Sequence, residues 1–157
     1  MERKATGRIG EEAAQRYLEA VGYRLVDVNV RFGAKSGLVG ELDIVAWDGP
    51  TLCFVEVKTR RGRRGYAPRR AGETPAESVT PAKQRQIARL ALAYAARHGL
   101  LADDTAPGAE AVPLRFDVAA VTLLSDAQED GTGDEPVCRV QLARGAFLAP
   151  DDFAEGF

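Results

Sequence analysis

At 157 residues, 45% hydrophobic and 28% charged, the chain suits one globular domain that buries roughly 68–70% of its unfolded surface without a disulfide staple. Cys53 and Cys138 fall in apolar strand patterns that fit reduced core thiols better than an extracellular framework, at a spacing wrong for a zinc ribbon or a CxxC redox motif, and the longest apolar stretch, 87–96, is too short for a membrane span and carries Arg89, so the chain reads as soluble and cytoplasmic. The net charge of −2 does not exclude a polyanionic partner, because residues 1–100 hold 18 Lys/Arg against 11 Asp/Glu while 101–157 hold 3 against 12, and local field outweighs net charge at a Debye length of about 8 Å.

In chain order, Thr6 or Gly7 caps a predicted first helix that runs to about Val21, with Ile9, Ala13, Ala14, Tyr17, Leu18 and Val21 on one face and Gly22 as its stop. A strand follows over 23–30, then a glycine-bearing loop over 31–39. Strands at about 40–47 and 52–59 are joined through Asp48-Gly49-Pro50, which completes a three-stranded meander. Residues 60–79 lack apolar periodicity and read as a loop. Thr80 and Pro81 are an N-cap and an N1 proline for a second helix that reaches His98 and stops at Gly99. Strands are predicted across 114–124 and about 137–143, separated by an acidic segment, 125–136, read as exposed. The order αβββαββ describes an α/β (α+β) domain over 1–149, a central mixed sheet flanked by helices, with a C-terminal tail at 150–157.

The second and third strands carry the chemistry. Side chains alternate along a strand, so Glu41 and Asp43 share one side of the first motif strand, and Glu56 and Lys58 share one side of the next. Leu42, Ile44, Val55 and Val57 are then expected to face a core. Carboxylates roughly 5–6 Å apart at an effective dielectric of about 20 repel by roughly 3 kcal/mol, a penalty that a bound cation removes. Hard oxygen donors suit Mg²⁺ or Mn²⁺, and the Val57 carbonyl offers one more ligand. Lys58 is placed to orient or deprotonate a water, or to offset charge developing on a phosphate. From spacing alone the competing reading is equally good: Glu56 and Lys58 as a solvated surface pair worth 0–1 kcal/mol. Arg115 and Asp117, alternating along a later strand, read as a structural polar pair. His98 at a helix end has a dipole explanation, and no Walker or dinucleotide glycine pattern is present.

Glycine-Glu41-x-Asp43 followed by Val55-Glu56-Val57-Lys58 resembles the PD-(D/E)xK nuclease superfamily, with Asp43, Glu56 and Lys58 matching its two acids and its lysine. Gly7-Arg8-Ile9-Gly10-Glu11, Asn29-Val30-Arg31, Thr80-Pro81-Ala82-Lys83 and Arg115-Phe116-Asp117-Val118, in that order around the motif strands, resemble its YraN-like branch from Gly7 to about Phe147. The resemblance implies a restriction-endonuclease-like core similar to that of archaeal Holliday-junction resolvases. It also implies a metal-dependent endonuclease-like activity on DNA, branched or repair-related, with Mg²⁺ or Mn²⁺ as cofactor. Resolvase-like members place an acid on the first helix, which makes Glu11 the third carboxylate; helical angles set it in line with Ala14 and Leu18, and Glu12 on the solvent face.

Arg60, Arg61, Arg63 and Arg64 after the motif, with Arg69 and Arg70 around Tyr66, form a basic loop. Together with Arg8, Arg31, Lys83 and Arg85, the first four make the expected nucleic-acid contact set. A basic loop that binds nothing is the alternative. Two further functional readings stay open: a nucleic-acid-binding module with the same fold but no turnover, and a protein-interaction adaptor using the acidic segment and tail. A homodimer also stays open, since a substrate with two symmetric scissile sites suits a twofold pair.

Overall fold

The computed structural model describes residues 2–63, 74–102, 110–125 and 137–149. Five strands form one sheet in the order β1-β2-β3-β4-β5: β1 (Arg24–Phe32), β2 (Gly40–Asp48), β3 (Thr51–Arg63), β4 (Leu114–Ser125) and β5 (Val137–Phe147), with α1 (Glu2–Ala20) before β1 and α2 (Pro81–Arg97) between β3 and β4. The meander β1-β2-β3 is antiparallel, β3 and β4 are parallel, and β5 returns antiparallel to β4. A parallel pair needs a long crossover, which α2 supplies. The expected αβββαββ order and mixed sheet are therefore present.

Each helix buries one stripe on one face of the sheet. Ala13, Ala14 and Leu18 of α1 pack on Ile44, Ala46, Cys53, Val55 and Val121. On the other side Ile87, Leu90 and Tyr94 of α2 pack on Leu42, Val45, Phe54 and Phe116. The central strands are covered on both faces, and so read as near-continuous apolar runs.

Several boundaries differ from expectation. α1 begins at Glu2, so Thr6 is inside the helix; its hydroxyl accepts from Arg61 Nη2 at 2.9 Å. At the second helix the local chemistry holds: the Thr80 side chain accepts from the Lys83 N–H and Pro81 opens the helix. β3 continues to Arg63, pairing Arg60 with Thr122, Arg61 with Leu123 and Arg63 with Ser125. Arg60, Arg61 and Arg63 are strand residues, not loop residues, because the β4 ladder satisfies their backbone whatever their propensity. β5 likewise runs four residues past Ala143. Arg64, Tyr66, Arg69 and Arg70, most of the acidic segment and the tail lie outside the described residues. Neither Cys53 nor Cys138 is in a disulfide, and among the described residues no helix is long and apolar enough to cross a membrane.

Candidate functional site

Asp43 sits at a fork in the sheet. β2 pairs with β3 from Asp48 back to Ile44, and at Asp43 the two strands part. The Asp43 carboxylate accepts the Val57 N–H at 2.8 Å, filling the place of a ladder carbonyl. Across β1, Asn29 stands between the pairs Val28–Ile44 and Val30–Leu42 with φ of 51°, so both neighbours of Asp43 are irregular at the same level. The fork breaks the alternation: Leu42 joins the α2-side core with Val45, while Ile44, Val55 and Val57 face α1. Leu42 therefore does not share a face with Ile44 as simple alternation predicts.

Glu56 is 6% exposed and its carboxyl is hydrogen-bonded to that of Asp43. Two ammonium groups approach one Glu56 oxygen: Lys58 Nζ at 3.5 Å and Lys83 Nζ, from the first turn of α2, at 3.8 Å. Burial, then the Asp43 charge, push Glu56 up to about 7, with Lys83 and Lys58 opposing. Asp43 is raised as well, chiefly by burial. Each carboxylate, once charged, thus makes the other harder to ionise.

Glu11 approaches the pair from α1. Burial and the Asp43 charge raise its pKa, and a hydrogen bond from the Asn29 side chain lowers it in part. Its place depends on the preceding residue: a Cβ on Gly10 would fall 1.9 Å from Thr59 Oγ1 and 2.8 Å from Thr59 Cβ, so only glycine lets α1 lie this close to β3. Gly10→Ala is expected to cost about 1–3 kcal/mol, as overpacking does, and a double-mutant cycle with Thr59→Gly is expected to show coupling of similar size in urea denaturation. Strict additivity would mean that the helix does not rest on this contact. α2 approaches β2 at Gly40, whose φ of 152° disfavours any other residue and whose neighbours are the movable ends of the Gln86 and Leu90 side chains; Gln86 Nε2 donates to the Val39 carbonyl at 3.0 Å.

The expected basic residues divide. Arg31 of β1 pairs with Glu41 at 2.9 Å, while the Glu41 charge still raises Asp43 and Glu11. Arg8 lies 3.9 Å from Glu12 on the exposed side of α1. Arg60 donates to Thr122 Oγ1 at 3.1 Å; with Arg61, Arg3, Thr6 and Glu11 it lines a cleft of about 540 Å³ on the α1 side. Lys83, Arg85 and Arg89 line a groove of about 580 Å³ between α2 and residues 37–39. Sequence reasoning missed two contacts, the Asn29 support of Glu11 and the approach of Lys83 to Glu56. Asn29 did carry a signal, since Asn tolerates positive φ better than most residues.

A family model described as "Uncharacterised protein family UPF0102" matches residues 10–121, a stretch that contains Glu11, Asn29, Asp43, Glu56, Lys58 and Lys83. The chain belongs to the UPF0102 family. A UPF0102 protein of Symbiobacterium thermophilum is 48% identical over 146 residues, covering 93% of this chain and 98% of the relative. A UPF0102 protein of Geobacter sulfurreducens is 47% identical over 122 residues, 78% of this chain and 79% of its own, and one of Acidothermus cellulolyticus is 40% identical over 146 residues, 92% and 95% respectively. The UPF0102 match thus spans the fork, both lysines and the crossover helix, whereas Arg8 and the whole of β5 lie outside it.

Among the described residues no set of three or more Asp, Glu, His or Cys side chains is arranged to hold a metal ion. Asp43 and Glu56 meet, and Glu11 interacts with Asp43 across a distance while bonding Asn29. Two carboxylates, one buried and one half-buried, that repel each other when both are charged fit a small hard cation, which takes one or two carboxylates and completes its shell with water and phosphate oxygens. They do not fit a soft metal.

Proposed function

We propose that the protein is a divalent-cation-dependent endonuclease-like hydrolase acting on DNA, of the PD-(D/E)xK kind that its motifs resemble. The observation that carries this reading is the Asp43–Glu56 carboxyl pair at a strand fork, Glu56 buried and Asp43 half-buried, with two lysines on one oxygen of Glu56. A carboxyl pair held in this way costs stability once both members are charged, and it performs no packing task that an apolar pair would not perform better.

Asp43 and Glu56 would hold Mg²⁺ or Mn²⁺, with the Val57 carbonyl and Glu11 close by, and the cation would supply charge neutralisation and water activation. Lys58, on the same strand as Glu56, orients the attacking water and offsets charge on the phosphate. Hydrolysis joins the water oxygen to phosphorus and breaks one phosphorus–oxygen ester bond; the water loses a proton to a base and the leaving oxygen takes one up. Glu11, kept beside Asp43 by Asn29, completes the acidic side of the centre. Arg60 and Arg61 in the α1-side cleft, and Arg85 and Arg89 in the α2-side groove, meet backbone phosphates, contacts that position DNA without reading bases.

Incubating the purified chain with branched, nicked and linear DNA in Mg²⁺ or Mn²⁺ tests the reading. Strand cleavage is expected, reduced at least about 100-fold in Asp43→Ala and in Glu56→Ala, the scale on which loss of one transition-state-stabilising group acts. Cleavage that survives unchanged in both variants would reject the assignment. The two cation-lined clefts equally favour a second reading, a binding module without turnover, which wild-type binding with no cleavage in either cation would select.

A further inference from the structure

We propose that Lys83 is a catalytic residue, a second lysine of the reacting centre that contacts a non-bridging oxygen of the phosphate being cleaved. The inference rests on the hydrolase reading above and deepens it. In sequence Lys83 belongs with the basic residues that open α2; in space its Nζ lies 3.8 Å from Glu56 Oε1, on the same oxygen that Lys58 approaches at 3.5 Å.

Three observations separate Lys83 from an ordinary ion-pair partner. It occupies the third residue of α2, where its N–H is capped by Thr80 and where the first turn carries no acidic residue. A cation at a helix N-terminus opposes the macrodipole, so helix stability does not account for it, whereas the same end of the helix attracts an anion. Its side chain is 30% exposed and lines the groove that Arg85 and Arg89 also line, while Lys58 opens onto a different cleft with Thr74 and Ser78. Lys83 is thus the residue common to the acid pair and to the cationic groove. An anionic chain laid along Arg89 and Arg85 arrives at Lys83 before it meets Glu56. With Asp43 and Glu56 engaged on a divalent cation, the Lys83 ammonium loses its anionic partner, and a phosphate oxygen at the mouth of the groove replaces it.

The full chain and its Lys83→Gln and Lys83→Arg variants test this in two measurements: Mn²⁺ binding by calorimetry at pH 8 without DNA, and single-turnover cleavage of a labelled nicked DNA at saturating protein. Lys83→Gln is expected to bind Mn²⁺ as tightly as wild type or more tightly, since a competing cation is gone, and to cleave about 100-fold or more slowly. Lys83→Arg is expected to recover part of the rate. Weaker Mn²⁺ binding by Lys83→Gln would overturn the proposal by making Lys83 a prop for Glu56, and so would an unchanged cleavage rate. If the glutamine variant fails to fold, the arginine variant decides: a wild-type rate combined with loss of Mn²⁺ affinity overturns the proposal, and a reduced rate at wild-type Mn²⁺ affinity supports it. A wild-type chain that neither binds Mn²⁺ nor cleaves would instead defeat the hydrolase reading itself, and this inference with it.

Discussion

Replacing Glu56 by glutamine is expected to make the protein more stable at pH 8 and to leave its stability unchanged below about pH 4.5. In the fold, burial and the Asp43 charge lift Glu56 from 4.5 to about 7. A folded-state pKa above the unfolded one means that the native state holds its proton longer, so the stability of the wild type is intact below pH 4.5 and falls as pH rises through 7. At about 1.4 kcal/mol per pH unit that loss comes to about 3 kcal/mol. Glutamine keeps the shape and a hydrogen bond to Asp43 but never ionises. Its advantage should therefore open between pH 4.5 and 7 and amount to several degrees in Tm for a chain of this length. Thermal unfolding of both proteins at pH 4, 6 and 8, without divalent ions, reads it directly. Parallel curves at all three values would show that the acid pair carries no strain. Under the hydrolase reading Mn²⁺ should raise the wild-type Tm at pH 8, by about 2.7 kcal/mol of linkage at one hundred times its Kd, and act less on the glutamine variant. Extra stability gained by disarming a polar centre is the usual mark of a site kept for function.

Much of this was legible in the sequence because it is local. The alternation of Asp43, Glu56 and Lys58 on short strands, the Thr80-Pro81 start of α2 and the polar pairing of Arg115 with Asp117 each follow from neighbours a few residues apart. Three features were not local. Leu42 left its expected face because the sheet forks at Asp43, and a fork depends on two neighbouring strands at once. Arg60 to Arg63 looked like loop because arginine and glycine are indifferent strand formers, yet backbone pairing with β4, sixty residues away, decided the outcome. Lys83 reaches Glu56 because α2 packs across β3, a tertiary contact that no periodicity encodes. Thr6 is the converse case: a sound local cap signal that lost to four further helical residues upstream, its hydroxyl engaged by Arg61.

Asp43, half-buried, and Asp117, fully buried, use one device for different ends, and Asp117 is where structure alone is at stake. β4 and β5 slip out of register between Phe116 and Val118. There the Asp117 carboxylate accepts the Gly145 N–H at 2.8 Å, as Asp43 accepts that of Val57. Asp117 is fully buried and its other acceptor sites are taken by the Tyr23 hydroxyl at 2.8 Å and by Arg115 Nε at 2.8 Å and Nη2 at 3.0 Å. Arg115 extends the network to Asp48 at 2.7 Å, at the end of β2, and Arg144 Nε donates to the Tyr23 hydroxyl at 3.1 Å. The Asp117 charge is thus met by a guanidinium in direct hydrogen-bond contact, whereas Glu56 has ammonium groups only at 3.5 and 3.8 Å and a second carboxylate beside it. Asp117→Ala removes the buried acceptor of the exposed Gly145 N–H and of the partly exposed Arg115 guanidinium, and is expected to cost about 3 kcal/mol, a large share of the 5–15 kcal/mol typical of a domain. Tyr23→Phe removes one shared hydroxyl and should cost about 1–2 kcal/mol. Urea unfolding of the two variants measures both. Any DNA cleavage should survive in Tyr23→Phe at a temperature where it is folded, because this network contacts none of Glu11, Asp43, Glu56, Lys58 or Lys83. A cost for Asp117→Ala no greater than that of Tyr23→Phe would mean that the bulge holds without its carboxylate, and that β5 is fixed by its apolar contacts alone.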